Sequence, residues 1–284
     1  MRTNDIRKLL MVCCLMVNLH ASQSLGNTNL PSLEEMTTEM MHSSEIADFR
    51  GQYASIRESL DYSHHRFYLP SRQRIQDEII DSYLLHRFDK PCQTPTIIFM
   101  AGVMGSGKSH SLRYLDQRDD FFLSDYVVVD PDKIKYQLPE MSSFIAQNPL
   151  TAGNRTHKES GYIAEIIQNA ALSQHFPIII DGSLRDKDWN EALILRIRSE
   201  YPRYRIGLIY VTASHKRVTQ RVKQRELDTG RAINLELLEK TANQVPFTVA
   251  HLRGAVDFFL KIENEERPVL LESENLPFRA CWTH

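Results

Sequence analysis

The chain has 284 residues, 42% of them hydrophobic, and a formal net charge of −2, which suits one α/β domain of ordinary size with an N-terminal extension better than two full domains. The near-balanced charge excludes whole-molecule electrostatic attraction to nucleic acid or an anionic membrane and leaves only local contacts of that kind. Four cysteines, Cys13, Cys14, Cys92 and Cys281, show no metal-ligand spacing and permit at most one disulfide beyond the leader, so cysteine usage leaves the compartment open.

The first eight residues include Arg2, Arg7 and Lys8, Leu9–Leu19 is apolar, and His20–Ser24 carries small residues. This order predicts a secretory signal peptide over residues 1–24, too short to remain as a mature transmembrane helix. A secreted or lumenal location follows, reconciled with an intracellular nucleotide by delivery into another cell. The alternative is a cytoplasmic chain with an amphiphilic N-terminal helix. Residues 25–93 read as a mostly helical extension, with one helix opening at Ser32 and another over Ser71–Ile80. His64 and His65 point differently and have no third ligand at a telling distance, so they read as surface histidines.

A phosphate cradle follows. Thr96–Met100 is a buried strand pattern, Gly102-Val103-Met104-Gly105-Ser106-Gly107-Lys108-Ser109 is a complete G-x-x-x-x-G-K-[ST] match, and a helix opens at His110. Glycines let the backbone turn its N–H groups inward, Lys108 reaches β- and γ-phosphates, the Ser109 hydroxyl can ligate Mg²⁺, and the helix adds its positive end. The expected cofactors are ATP and Mg²⁺. Further apolar runs at Tyr126–Asp130, Pro177–Asp181, Ile206–Val211 and Val256–Leu260 lack alternation, as strands covered on both faces do. They predict a P-loop kinase-like three-layer α/β sandwich over residues 94–284, with about five mainly parallel strands flanked by helices. Ligands belong at the carboxyl ends of those strands.

Polar residues gather at those ends. Asp130 and Asp132 follow the second strand, where a phosphoryl acceptor meets the γ-phosphate, and Asp132 is the candidate base for an acceptor hydroxyl; the competing reading makes Asp130 a helix cap and Asp132 a first-turn residue. Asp181 ends the third strand where a Walker-B-type carboxylate holds Mg²⁺, and Arg185 supplies a fork for phosphate. The helix between them carries Thr156, His157, Glu159, Ser160 and Glu165, which can line an acceptor pocket. Arg217, Arg221 and Arg225 fall four apart on one helix face and Arg231 follows Gly230, a set able to close over a triphosphate. No aromatics are interleaved with these arginines, so the nucleic-acid signal is weak.

The ordered set Gly102–Ser109, Val129-Asp130-Pro131-Asp132, Thr156, Glu165, Ile180-Asp181-Gly182-Ser183-Leu184-Arg185, Arg225 and Gly230-Arg231 resembles the zeta-toxin-type P-loop kinases that phosphorylate UDP-N-acetylglucosamine, over roughly residues 94–252. The resemblance implies Lys108 and Ser109 on phosphates and Mg²⁺, Asp132 as base, and Arg225 with Arg231 on the γ-phosphate. It also implies Thr156, Glu165 and Arg185 in the acceptor pocket. Asp181 departs from the glutamate of the bacterial toxins by one methylene. The expected activity is phosphoryl transfer from ATP to a hydroxyl of a small, nucleotide-linked acceptor, with UDP-N-acetylglucosamine leading. The alternatives are a non-catalytic ATP-binding protein and a kinase of NAD, a nucleoside or a polynucleotide. An antitoxin-like partner is not implied. Asn154-Arg155-Thr156 is a glycosylation sequon beside the expected acceptor pocket.

Overall fold

The computed structural model describes residues 42–43, 48–84, 92–118, 121–230, 235–275 and 280–282. The expected leader over residues 1–24, the helix expected at Ser32 and Arg231 lie outside the described residues. The chain order opens with β1 (His42–Ser43), α1 (Ala54–Glu58), β2 (Phe67–Tyr68) and α2 (Pro70–Leu84), with β1 and β2 paired antiparallel. Pro70 suits the first helical position because its fixed φ is helical and its missing N–H has no intrahelical partner to lose. The helix expected over Ser71–Ile80 lies within α2.

The central strand, β3 (Thr94–Ala101), carries the apolar run into the phosphate loop, and α3 (Lys108–Leu115) leaves it. Then come β4 (Val127–Val129), α4 (Pro131–Lys135), α5 (Met141–Gln147), α6 (Pro149–Arg155), α7 (His157–Ser173) and β5 (Ile178–Asp181). The chain continues through α8 (Lys187–Glu200), β6 (Arg205–Thr212), α9 (His215–Thr229) and α10 (Leu235–Leu252), to β7 (Phe258–Asn264), β8 (Pro268–Glu274) and β9 (Cys281–Trp282). The sheet order is β4-β5-β3-β6-β7-β8. All neighbours are parallel except the edge pair β7–β8, and β9 pairs antiparallel with the start of β3.

The five strands expected from the sequence are therefore the parallel set, and the structure adds β8 and β9. Register fixes Phe99 beside Ile180 on one side and Leu208 on the other. Ile97, Phe99 and Ala101 enter one core with α7, α8 and α10, while Ile98 and Met100 enter a second core with Leu112 and Leu115 of α3. This is the period-2 alternation of a strand sandwiched between helix layers. Each of Ile97, Ile98, Phe99 and Met100 is at most 1% exposed, and burying a side chain of this kind contributes about 1.5–3 kcal/mol.

Residues 48–84 join the same core, with Tyr53, Leu60, Ile79, Ile80 and Leu84 packing with the first cluster. Their polar tie is Arg72, fully buried, which donates through Nε to Glu159 at 2.6 Å and through Nη2 to Glu140 at 2.6 Å. Gln76 donates to the same Glu159 at 2.7 Å. Cys92, just ahead of β3, is disulfide-bonded to Cys281 of β9. No described helix is long and apolar enough to cross a membrane.

Candidate active site

The loop from Gly102 to Ser109 joins β3 to α3 at the carboxyl end of the central strand. Gly102 has φ +143° and Gly107 φ +91°, and a Cβ at Gly107 would lie 2.0 Å from Asn264 Nδ2. Both positions therefore demand glycine, for backbone conformation and for space. Gly107 caps α3, and Lys108 Nζ donates to the Gly102 carbonyl at 3.1 Å. Val103 and Met104 turn their side chains toward Val218, Val222 and Leu238, which leaves their backbone to the loop. Ser106 is buried, with its hydroxyl unpartnered among the described residues. Ser109 is half-buried on the first turn of α3 and His110 is exposed.

Two neighbouring strands bring carboxylates to the same edge. Asp130 follows β4 and caps α4, accepting from the amides of Asp132 at 2.9 Å and Lys133 at 3.3 Å, with Pro131 at the first helical position. The competing arrangement, with Asp130 as the cap and Asp132 on the first turn, is thus the one that the geometry has. Asp132 Oδ1 accepts from the buried Lys135 ammonium at 2.9 Å, and its Oδ2 lies 3.9 Å from Arg225 Nη2. Asp181 ends β5, is 8% exposed, and has one oxygen, Oδ1, with no partner among the described residues. Burial pushes the Asp181 carboxyl above its ordinary value; Lys108 and Lys133 oppose the shift, and Asp130 and Asp132 add to it. Lys108 and Asp132 are therefore each within electrostatic reach of Asp181.

Beyond Asp181 the chain turns through Leu184, a non-glycine residue at φ +58°. That turn lets the Ser183 carbonyl accept from the Gly102 amide at 3.2 Å, fastening the β5 end to the phosphate loop. Left-handed backbone at a branched residue is costly and persists only where the surroundings over-determine it. Arg185 follows, half-buried, with its carbonyl accepting from Thr248 at 3.2 Å.

The remaining expected residues are engaged within the protein. Thr156, at the start of α7, is fully buried and its hydroxyl donates back to the Ala152 carbonyl at 3.2 Å. Glu165, midway along α7, pairs through Oε2 with His65 Nε2 at 2.8 Å. His65 is 13% exposed and packs edge-on against Tyr162, so of the two histidines read as surface residues only His64 is one. Glu159 is taken by Arg72 and Gln76. Among the described residues no cluster of metal-ligating side chains forms around His64 and His65.

Sequence reasoning missed Arg221 as a brace and Asn264 altogether. Arg221 Nη1 donates to the carbonyls of Gly105 at 3.3 Å, Ser106 at 3.1 Å and Asn264 at 2.9 Å. Asn264 Nδ2 donates to the Gly107 carbonyl at 3.0 Å. Asn264 ends a strand that runs four residues beyond the expected Val256–Leu260 run, so no sequence signal marked it. A groove of about 390 Å³ beside this brace is lined by Arg217, Gln220, Arg221, Glu265 and Glu266.

A glycine-rich loop thus leaves the central strand, with carboxylates at the ends of two neighbouring strands. The family model described as Zeta toxin matches residues 81–275, well over half of the chain. The chain belongs to the zeta toxin family. Solved structures agree on the fold of this zeta-toxin-family chain. A structure from the PezAT chromosomal toxin–antitoxin system of the human pathogen Streptococcus pneumoniae superposes with TM-score 0.59 at 16% identity, over 72% of this chain and 82% of that one. The AvrRxo1-ORF1:AvrRxo1-ORF2 complex superposes with TM-score 0.60 at 15% identity with sulphate ions present, over 84% of this chain and 76% of that one. The ATP-containing form of that complex gives 0.59 at 15% identity with the same coverage. Comparison with the curated proteins returned no match. These neighbours correct one expectation, that an antitoxin-like partner is not implied, because they come from a toxin–antitoxin system and from two-protein complexes.

Proposed function

We propose that this zeta-toxin-family chain is a kinase that transfers the γ-phosphate of ATP to a hydroxyl of a small nucleotide-linked acceptor, with UDP-N-acetylglucosamine the leading candidate. The observation that carries the reading is Asp181: a buried carboxylate with an unpartnered oxygen, beside the phosphate loop and within reach of Lys108 and Asp132. An orphaned buried carboxylate oxygen is costly in a finished fold. It fits a divalent cation, with the Ser109 hydroxyl as second protein ligand. Bound there with the nucleotide, Mg²⁺ supplies charge neutralisation for the transferring phosphoryl group.

The protein's own groups divide the remaining work. Backbone amides of the loop hold the phosphates, and Lys108 exchanges its contact with the Gly102 carbonyl for phosphate oxygens. The groove lined by Arg217, Gln220, Arg221, Glu265 and Glu266 lies beside the loop for the nucleoside. Asp132, held by Lys135, accepts the proton of the acceptor hydroxyl, and Arg225 compensates charge on the transferred group. Arg185 faces the acceptor phosphates in this reading, and the family resemblance assigns Arg231, with Arg225, to the γ-phosphate. Thr156 and Glu165 are engaged within the protein, so their part in acceptor binding requires those contacts to be exchanged.

The disulfide between Cys92 and Cys281 supports the secretory reading of residues 1–24, since such bonds persist in oxidising compartments. The structural neighbours support a protein partner of the antitoxin kind. The test is an assay with ATP and Mg²⁺ against UDP-sugars, NAD, nucleosides and short RNA. Phosphate gained by one UDP-sugar supports the kinase reading and names the acceptor. ATP binding without transfer favours the non-catalytic module instead.

A further inference from the structure

Arg221 is the middle of three arginines spaced four apart on α9, and the sequence assigns all three to the triphosphate. The structure spends its guanidinium on the protein. Besides its three Nη1 contacts, Arg221 Nη2 donates to Asn264 Oδ1 at 3.3 Å and to the Glu265 carbonyl at 2.6 Å. Glu265 in turn accepts from the amide and from the hydroxyl of Ser214, the residue that caps α9. The start of α9, the end of β7 and the phosphate loop are thus tied at one point.

The contacts fall on consecutive peptide units. Arg221 takes the carbonyls of Gly105 and Ser106, and fully buried Asn264 shares that of Gly107 with the Ser111 amide, which donates to it at 2.9 Å. In a planar trans peptide, the carbonyl of one residue and the amide of the next point opposite ways. Holding these three carbonyls on one side turns the amides of Ser106, Gly107 and Lys108 to the other. The Ser106 amide closes a turn on the Val103 carbonyl at 3.1 Å. Those of Gly107 and Lys108, at the start of α3, have no intrahelical acceptor and are offered to an anion.

We propose that Arg221 and Asn264 form a clamp on the back of the phosphate loop that sets its amides for phosphate before nucleotide arrives. Arg221 is then a positioning residue that never touches the transferred group, whereas Arg225, beside Asp132, does. The clamp rests on the reading that this loop binds nucleotide phosphates, and it adds a reason for glycine at 107, where any Cβ would strike Asn264. Pre-organisation of this kind acts on binding and not on the chemical step.

The experiment measures affinity for ATP and for inorganic tripolyphosphate, and kcat at saturating ATP, in the full chain and in Arg221→Ala, Asn264→Ala and the double variant. Circular dichroism and Tm confirm folding. The clamp predicts that each single variant loses on the order of tenfold in affinity for both probes, that the double variant loses little more, and that kcat changes by less than about threefold. Arg221→Lys restores little, because one ammonium cannot bridge these carbonyls. Asn264→Asp guards against a folding failure. It keeps the shape and the contact to Arg221 but cannot donate to Gly107, so it too should lose affinity. Wild-type affinity in Asn264→Asp, additive losses in the double variant, or a fall in kcat with affinity kept would each overturn the clamp. Because the clamp is read in binding, an enzyme that binds ATP but transfers nothing fails the kinase reading alone.

Discussion

Asp132 and Asp181 sit at the ends of adjacent strands and meet opposite surroundings. Asp132 is 29% exposed and held by Lys135, whereas Asp181 is buried with an oxygen unpartnered among the described residues. The first is suited to proton transfer and the second to a cation. Replacing Asp132 by alanine should leave ATP affinity within a few-fold and reduce transfer by about 10²–10⁴-fold; full transfer in that variant would remove Asp132 from the mechanism. Replacing Lys108 by alanine should weaken binding and transfer together, measured by calorimetric titration with ATP beside the rate. Asp181→Asn removes a buried charge, so the nucleotide-free protein should gain on the order of 1 kcal/mol in stability, seen as a Tm raised by about 2–4 °C, while Mg²⁺-dependent transfer falls. At this scale the sequence showed which residue types stand at the strand ends. Proline after Asp130 marks that residue as the cap, which leaves Asp132 for chemistry, but the direction of a guanidinium cannot be read from spacing. Arg217, Arg221 and Arg225 share a helix face by arithmetic, and only the approach of Asn264 from β7 separates the brace from its neighbours.

The five parallel strands were legible because burial on both faces leaves an unbroken apolar run. β8 was not, because it is an edge strand with Val269 45% and Leu271 48% exposed and a carboxyl end of Glu272 and Glu274. Its partner β7 likewise continues past its apolar start through Lys261 and Glu263, whose polarity hid half of the strand. On α7 the polar residues were visible in the sequence without their destinations. Glu159 and Glu165 belong to contacts with residues 48–84, about ninety positions earlier, which no local pattern can report. The triad of Arg72, Glu140 and Glu159 is the consequence at element scale. Removing one partner of a buried ion group leaves uncompensated charge, so Arg72→Met should cost about 3–5 kcal/mol in urea unfolding. A change under 1 kcal/mol would show that residues 48–84 are not anchored through this group.

Across the whole molecule, the central strand links two functions of position. Its carboxyl end carries the phosphate loop, and its opposite end carries the Cys92–Cys281 bridge, eight residues and about 26 Å away along an extended strand. The bridge spans 189 residues of sequence, and in the chain-entropy account a loop of that length stabilises the fold by on the order of 5 kcal/mol. Reduction, or Cys92→Ser with Cys281→Ser, should lower Tm by about 10–20 °C and leave the transfer rate of the folded protein unchanged at 25 °C. An unchanged Tm would mean that the bridge contributes little to stability. The sequence permitted this pairing without selecting it, since separation along the chain says nothing of distance in space until β9 is placed beside β3.

The most direct measurement is the mass of each candidate acceptor after incubation with ATP, Mg²⁺ and the chain lacking residues 1–24, with Asp132→Ala run in parallel. The account predicts that one UDP-sugar gains the mass of a single phosphate with the wild type and none with the variant. Equal phosphorylation by both, or ATP bound with no acceptor modified across UDP-sugars, NAD, nucleosides and RNA, would contradict it.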